Sequence, residues 1–156
     1  MPTVLIVAYG NPMRSDDGVA WRAADGLASK FAESSIEIVR LHQLTPELAD
    51  TARNFRCVIF VDAASCDDPP NKPGAIRVEE IRSGAADPAR FSHVLSPQKV
   101  LDLAVQLYGA SPRSFVITVA GDNFSHGDSL SPAVAAALPE LVARLAFLVE
   151  QNLSKA

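Results

Sequence analysis

"VLIVAYGNPMRSDDGVA", residues 4–20, decides how this chain is read. Val4 to Tyr9 is almost wholly apolar, as a strand covered on both faces must be. Gly10 then allows a sharp exit without a Cβ clash, and Asn11 can hydrogen-bond the local backbone of a turn. Ser15 or Asp16 stands where a helix is capped, and acidic groups in a first helical turn gain about 0.3–1 kcal/mol each from the macrodipole. The second aspartate, Asp17, projects about 100° further round such a helix. Two readings stay open on the residues alone: a strand, a turn and a well-charged helix start, or half of a site in which Asp17 is free for chemistry.

Beyond that unit, apolar runs alternate with helix-period segments, which predicts an α/β fold. Strands are expected at Val4–Tyr9, Ile36–Leu41, Cys57–Val61 and Ser114–Ala120, with an alternating edge strand at Ala75–Ile81. The predicted helices begin at Asp16–Phe31, with Val19, Ala20, Ala23, Leu27 and Phe31 on one face, and at Pro46–Arg53, capped by Thr45. A third opens at Ser96-Pro97, with Val100, Leu101, Ala104, Leu107 and Tyr108 on one side and Gly109 at its end. The last opens at Ser131-Pro132, with Val134, Leu138, Leu141, Val142, Leu145 and Val149 inward; Pro139 must kink it or mark a late start. Loops are expected at Ser65–Pro73, Ser83 to about Leu95, and Gly121–Leu130.

The totals bound the function. The chain has 156 residues, 48% hydrophobic and 21% charged, enough to bury one core. No repeat, low-complexity tract or linker divides it, which predicts a single domain over 1–156. A net charge of −4 and no basic run argue against nucleic acid and against anionic membranes as partners. The opening MPTVLIVAYG has neither the charge nor the cleavage site of a signal peptide. Glu140, Arg144 and Glu150 break the C-terminal apolar stretch, against a membrane span. Cys57 and Cys66 are too few for a disulfide framework; Cys57 reads as a buried thiol and Cys66 as nearer solvent. A cytoplasmic protein is expected.

Each central strand ends in something polar: Gly10-Asn11, Asp62, and Gly121-Asp122. In an open α/β sheet, ligands bind just beyond the C-terminal ends of the strands, at a topological switch point. Strands lie about 4.8 Å apart, so if the first and third are neighbours, Asp62 and the turn carrying Asp16 and Asp17 share a crevice. A carboxylate directly after CVIFV is costly unless partnered, so Asp62 either caps a local turn or takes a ligand or catalytic role. His93 precedes the Ser-Pro helix start by three residues, and its loop is expected at the same rim. Two aspartates and a histidine form an open N/O donor set for a borderline divalent metal, one that holds free metal weakly. HExxH, CxxC, GxGxxG, Walker A and GxSxG patterns are all missing.

With those residues in hand, the sequence resembles the [NiFe]-hydrogenase maturation proteases. GNPMRSDDG is similar to that family's GN-x-x-x-x-D-[DE] turn, VIFVDAA to its third strand and aspartate, SHVLSPQKVLDLA to its histidine loop and helix, and GDSLSPAVAAALPELV to its last loop and helix. The resemblance implies a three-layer α/β/α domain with a twisted, mostly parallel five-stranded sheet. It implies an endopeptidase, aspartic-type in the family's classification, that trims the C-terminus of a hydrogenase large-subunit precursor after nickel insertion. Asp17, Asp62 and His93 fall on the family's metal-contacting positions, with Asp17 also the candidate general base. No tightly bound cofactor is implied: nickel is met transiently through the substrate, and another divalent metal can stand in for it in vitro. After the second strand, where many members carry an aspartate and a Gly-Gly-Thr-like turn, this chain has RLHQLTPEL; Ala20 replaces a frequent glycine. His42, Gln43, Cys66 and His126 receive no role. Two alternatives stand beside this reading: a non-catalytic metal-sensing or chaperone-like module, and a small hydrolase or nucleotide-binding protein in which DDG is only a helix start.

Overall fold

Strand β1 (Val4–Tyr9) is the axis of the molecule, with Val4, Leu5, Ile6 and Val7 all buried. It lies between two parallel neighbours, β2 (Ile36–Leu41) and β3 (Cys57–Ser65). β3 pairs in parallel with β5 (Arg113–Gly121), and β4 (Ile76–Ile81) closes the edge antiparallel to β5. The sheet therefore has five strands in the order β2-β1-β3-β5-β4. The computed structural model describes residues 2–67, 71–85 and 95–153.

Strand alternation divides the core into two layers. Val4, Ile6, Ala8, Ile59, Val61 and Ile117 face α1 (Val19–Ala28) and α4 (Pro132–Leu153). Leu5, Val7, Val58 and Phe60 face α2 (Leu48–Ala52) and α3 (Pro97–Tyr108). The fold is thus α/β, a mostly parallel sheet between two helical layers, as expected.

Several expectations need correction. The first helix does not span Asp16–Phe31: Ser15–Gly18 forms a 3-10 turn, and α1 starts at Val19 and ends at Ala28. Neither Ser15 nor Asp16 caps it, because both side chains are committed to a distant loop. Thr45 does not cap α2 either; the chain turns through Pro46 and Glu47, and the helix runs only Leu48–Ala52. β3 extends to Ser65, so Asp62 sits inside the strand and caps no turn. On α3, Leu107 and Tyr108 lie exposed in the final turn, with Arg53 stacked 4.5 Å over the Tyr108 ring. The predicted signals do hold at the ends of α3: Ser96 accepts the Lys99 N–H at 3.2 Å, and Gly109 closes the helix at φ 65°.

Pro139 lies within α4, which starts at Pro132, so it does not mark a late start. The helix is long and apolar enough to cross a bilayer by length and composition, with mean hydropathy 1.7. Its Val134, Leu141, Leu145 and Val149 are fully buried in the α1/α4 layer, which accounts for that apolar character. Cys57 is buried, as expected, and Cys66 is half-buried.

Candidate functional site

β1 has β2 on one side and β3 on the other, both parallel to it, so the chain reverses direction of progress across the sheet at β1. The crevice at the C-terminal ends of β1 and β3 is therefore the switch point where an open α/β sheet binds ligands. Ala8 pairs with Val61, which puts Tyr9 beside Asp62 one residue further along. Alternation from Phe60 turns Asp62 to the α2/α3 face, and Tyr9 packs on that same face. Two polar side chains thus meet at the end of an otherwise apolar ladder.

Asp62 is half-buried and has few partners. Burial pushes its carboxyl up to about 7; the Tyr9 hydroxyl and the Ala63 N–H oppose the rise, and the negative charge of Asp17 adds to it. Tyr9 is driven well above its ordinary range, first by its own burial and then by the charge of Asp62, contact with it, and the charge of Asp17. The phenol consequently stays protonated and acts as a donor at any physiological pH. Asp17, Asp62 and Tyr9 therefore lie close enough to feel one another electrostatically.

Asp17 is held from its own turn. Its Oδ2 accepts the Asn11 N–H at 2.8 Å, and its backbone N–H donates to the Arg14 carbonyl at 3.1 Å. Gly10 makes this approach possible: it sits at φ +139°, and a Cβ there would lie 2.0 Å from the Asp17 carbonyl oxygen. The adjacent Asp16 is used differently. It is fully buried, and its carboxylate accepts from the backbone N–H groups of Asp122, Asn123 and Ser131 and from the Ser131 hydroxyl, at 2.7–2.9 Å. Burial alone would raise its pKa, but these donors outweigh it and hold the group below the usual carboxylate value. Ser15, strained at φ 54°, reinforces the same junction through its hydroxyl bond to the Ser125 carbonyl at 2.8 Å.

His93 lies outside the described residues. Two residues beyond it, Leu95 packs against the α2/α3 core layer, and Ser96 caps α3. The twelve residues of α3 rise about 18 Å. Asp62 pairs with Thr118, five residues along from Arg113, or about 17 Å up the sheet. The start of α3 belongs to the same face but meets the chain just after β4, where Gln98 donates to the Arg82 carbonyl and Asp102 accepts the Gly84 N–H; Ile81, the residue before Arg82, pairs with Ser114. Among the described residues, no cluster of three or more His, Cys, Asp and Glu side chains is arranged to hold a metal. What they supply is two carboxylates, hard oxygen donors that suit a divalent cation when a third ligand joins them.

The other histidines stand apart from this pair. His42 follows β2 and meets the Trp21 ring edge-on at 5.4 Å, while Trp21 donates its Nε1–H to the Leu41 carbonyl at 3.0 Å. His126 lines a polar cleft of about 500 Å³ with Ser15, Asp122, Asn123 and Asp128. Reading the sequence missed Tyr9, which was absorbed into an apolar strand. The available signal was a phenol as the last residue of a buried strand, directly before the turn glycine. It also missed the clamp role of Asp16, for which no local signal exists.

No protein-family model matches the chain, and no curated protein matches it by sequence. Solved structures do match by fold. The hydrogenase maturating endopeptidase HybD from E. coli superposes with a TM-score of 0.76 at 21% identity, over 96% of this chain and 93% of that one. A hydrogenase 2 maturation peptidase from a Thaumarchaeota archaeon gives a TM-score of 0.71 at 22% identity, over 95% and 98%. The [NiFe] hydrogenase maturation protease HybD from Thermococcus kodakarensis gives a TM-score of 0.69 at 22% identity, over 94% and 99%. At this level of identity the likeness is one of fold: this chain has the architecture of hydrogenase maturation endopeptidases along nearly its whole length.

Proposed function

We propose that this protein is a cytoplasmic endopeptidase of the hydrogenase-maturation kind, which removes the C-terminal extension of a [NiFe]-hydrogenase large-subunit precursor after nickel insertion. The observation that carries the reading is the nearness of Asp17, in the turn after β1, to Asp62, in the last part of β3, at the β1/β3 switch point of a fold shared with such endopeptidases. His93 is the third member.

Nickel here belongs to the substrate. Asp17, Asp62 and His93 read it in place, and a set of two carboxylates and one imidazole engages a metal without the thiolates that would strip it away. A metal near the scissile bond polarises the carbonyl as a Lewis acid. Asp17 acts as general base: it takes a proton from water as the water oxygen bonds to the carbonyl carbon. The C–N bond then breaks, and the proton passes to the leaving amine nitrogen.

The test is the intact mass of a co-expressed large-subunit precursor, with nickel supplied, beside wild type or Asp17→Asn. The expected result is loss of a C-terminal peptide with wild type and nickel only, the variant being slower by about 10²–10⁴-fold, the range for a general base. Normal processing by Asp17→Asn removes the base role. A stable complex whose mass never changes points to a metal-sensing module.

A further inference from the structure

Tyr9 is not used in the reaction as set out above, yet its position is unusual. Every other residue of β1 is apolar, and the strand ends in a phenol directly beside Asp62 on the neighbouring strand. Both side chains lie on the α2/α3 face, the face to which the start of α3 also belongs. Asp17 lies in the turn after β1, its carboxylate held by the Asn11 N–H. A phenol one register step from a half-buried carboxylate, on the same face, is placed to donate its O–H to one of the two oxygens, and O–H to carboxylate contacts are strong, orienting ones.

We propose that Tyr9 is a positioning residue of this site: its hydroxyl holds one oxygen of the Asp62 carboxylate and leaves the other to face Asp17 and the substrate. The functional consequence rests on the endopeptidase reading; the arrangement of the two side chains does not. Tyr9 acts on Asp62 and not on the substrate. Losing it therefore misplaces a group whose orientation matters in the reacting complex, which lowers kcat more than it raises KM. Removing such a supporting donor behind a metal-contacting side chain typically costs 10–100-fold in affinity or activity.

Tyr9→Phe is the discriminating variant, because it keeps the ring that packs against the α2/α3 layer and deletes the oxygen alone. Three quantities are compared with wild type: the crystallographic orientation of Asp62, the thermal midpoint, and kcat and KM for processing of the nickel-loaded precursor. The expected result is a rotated Asp62 carboxylate, a nearly unchanged midpoint, and kcat lower by roughly 10–100-fold with KM little altered. An unmoved Asp62 overturns the assignment, and so does a moved Asp62 with undiminished processing. Failure of the wild-type chain to process any precursor overturns the endopeptidase reading instead; the orientation of Asp62 in the two structures then still decides whether Tyr9 holds it.

Discussion

Asp16 and Asp62 are both withdrawn from solvent at the same rim of one sheet, yet their surroundings push their acidities in opposite directions. Asp16 is surrounded by donors, three backbone N–H groups and one hydroxyl, and is held as an anion. Asp62 is pushed up to about 7, first by its burial and further by the charge of Asp17, which the Tyr9 hydroxyl and the Ala63 N–H only partly offset. The lesson is that burial is weighed against the supply of hydrogen bonds, and the balance decides what a carboxylate does. A saturated carboxylate is a structural clamp. An undersupplied one is ready to gain from a cation or a proton, which is the condition a metal-reading or acid–base group requires.

The largest expected break in this comparison is Asp16→Ala. It takes the acceptor from one buried and two part-buried N–H groups; a buried group left unsatisfied costs roughly 1–3 kcal/mol, so the unfolding midpoint in urea is expected to report a loss of about 2–4 kcal/mol. A loss below about 1 kcal/mol removes the distinction between clamp and site. Gly10→Ala comes next, since it adds a Cβ at φ +139° against the Asp17 carbonyl. Forcing the turn to shift costs on the order of 1–3 kcal/mol, and precursor processing should fall with stability because Asp17 moves with its backbone.

A further effect is a slope in pH. The folded pKa of Asp62, about 7, stands above its ordinary value of 3.8, so the folded state holds a proton that the unfolded chain gives up. The contribution of Asp62 to stability is therefore full below about pH 3.8 and is lost as pH rises through 7. Asp16 has the opposite sign: its contribution is present above pH 3.8 and disappears as pH falls through its depressed folded value. Asp62→Asn should flatten the neutral slope and leave the acid one untouched, as followed by denaturant melts across pH. A wild-type stability that rises from pH 5 to 8 contradicts the environment described for Asp62.

How much of this was legible in the sequence depended on distance along the chain. Ser96, Pro97 and Gly109 act on their immediate neighbours, and α3 was readable to the residue from them. The strands were readable because burial on both faces demands unbroken apolar runs, as in VLIVAY. The meeting of Asp17 with Asp62 followed once β1 and β3 were taken as neighbours, a rule of the fold class and not of any residue. The 3-10 turn at Ser15–Gly18 was not readable. Its geometry is imposed by partners at Asn123, Ser125 and Gly127, and an aspartate beside an aspartate looks the same whether it caps a helix or clamps a loop.

The clamp also dictates an order of events during biosynthesis. Asp16 leaves the ribosome early, but the donors that neutralise its burial come 106, 107 and 115 residues later. Closing so long a loop carries an entropic cost that only the finished sheet and the docked α4 can offset. At roughly 5–20 residues per second, the interval is at least several seconds, during which Asp16 must remain hydrated and the turn bearing Asp17 unformed. The turn bearing Asp17 is thus completed only after the segment between β5 and α4 has been made, and a stop before Ser131 should yield a product without it.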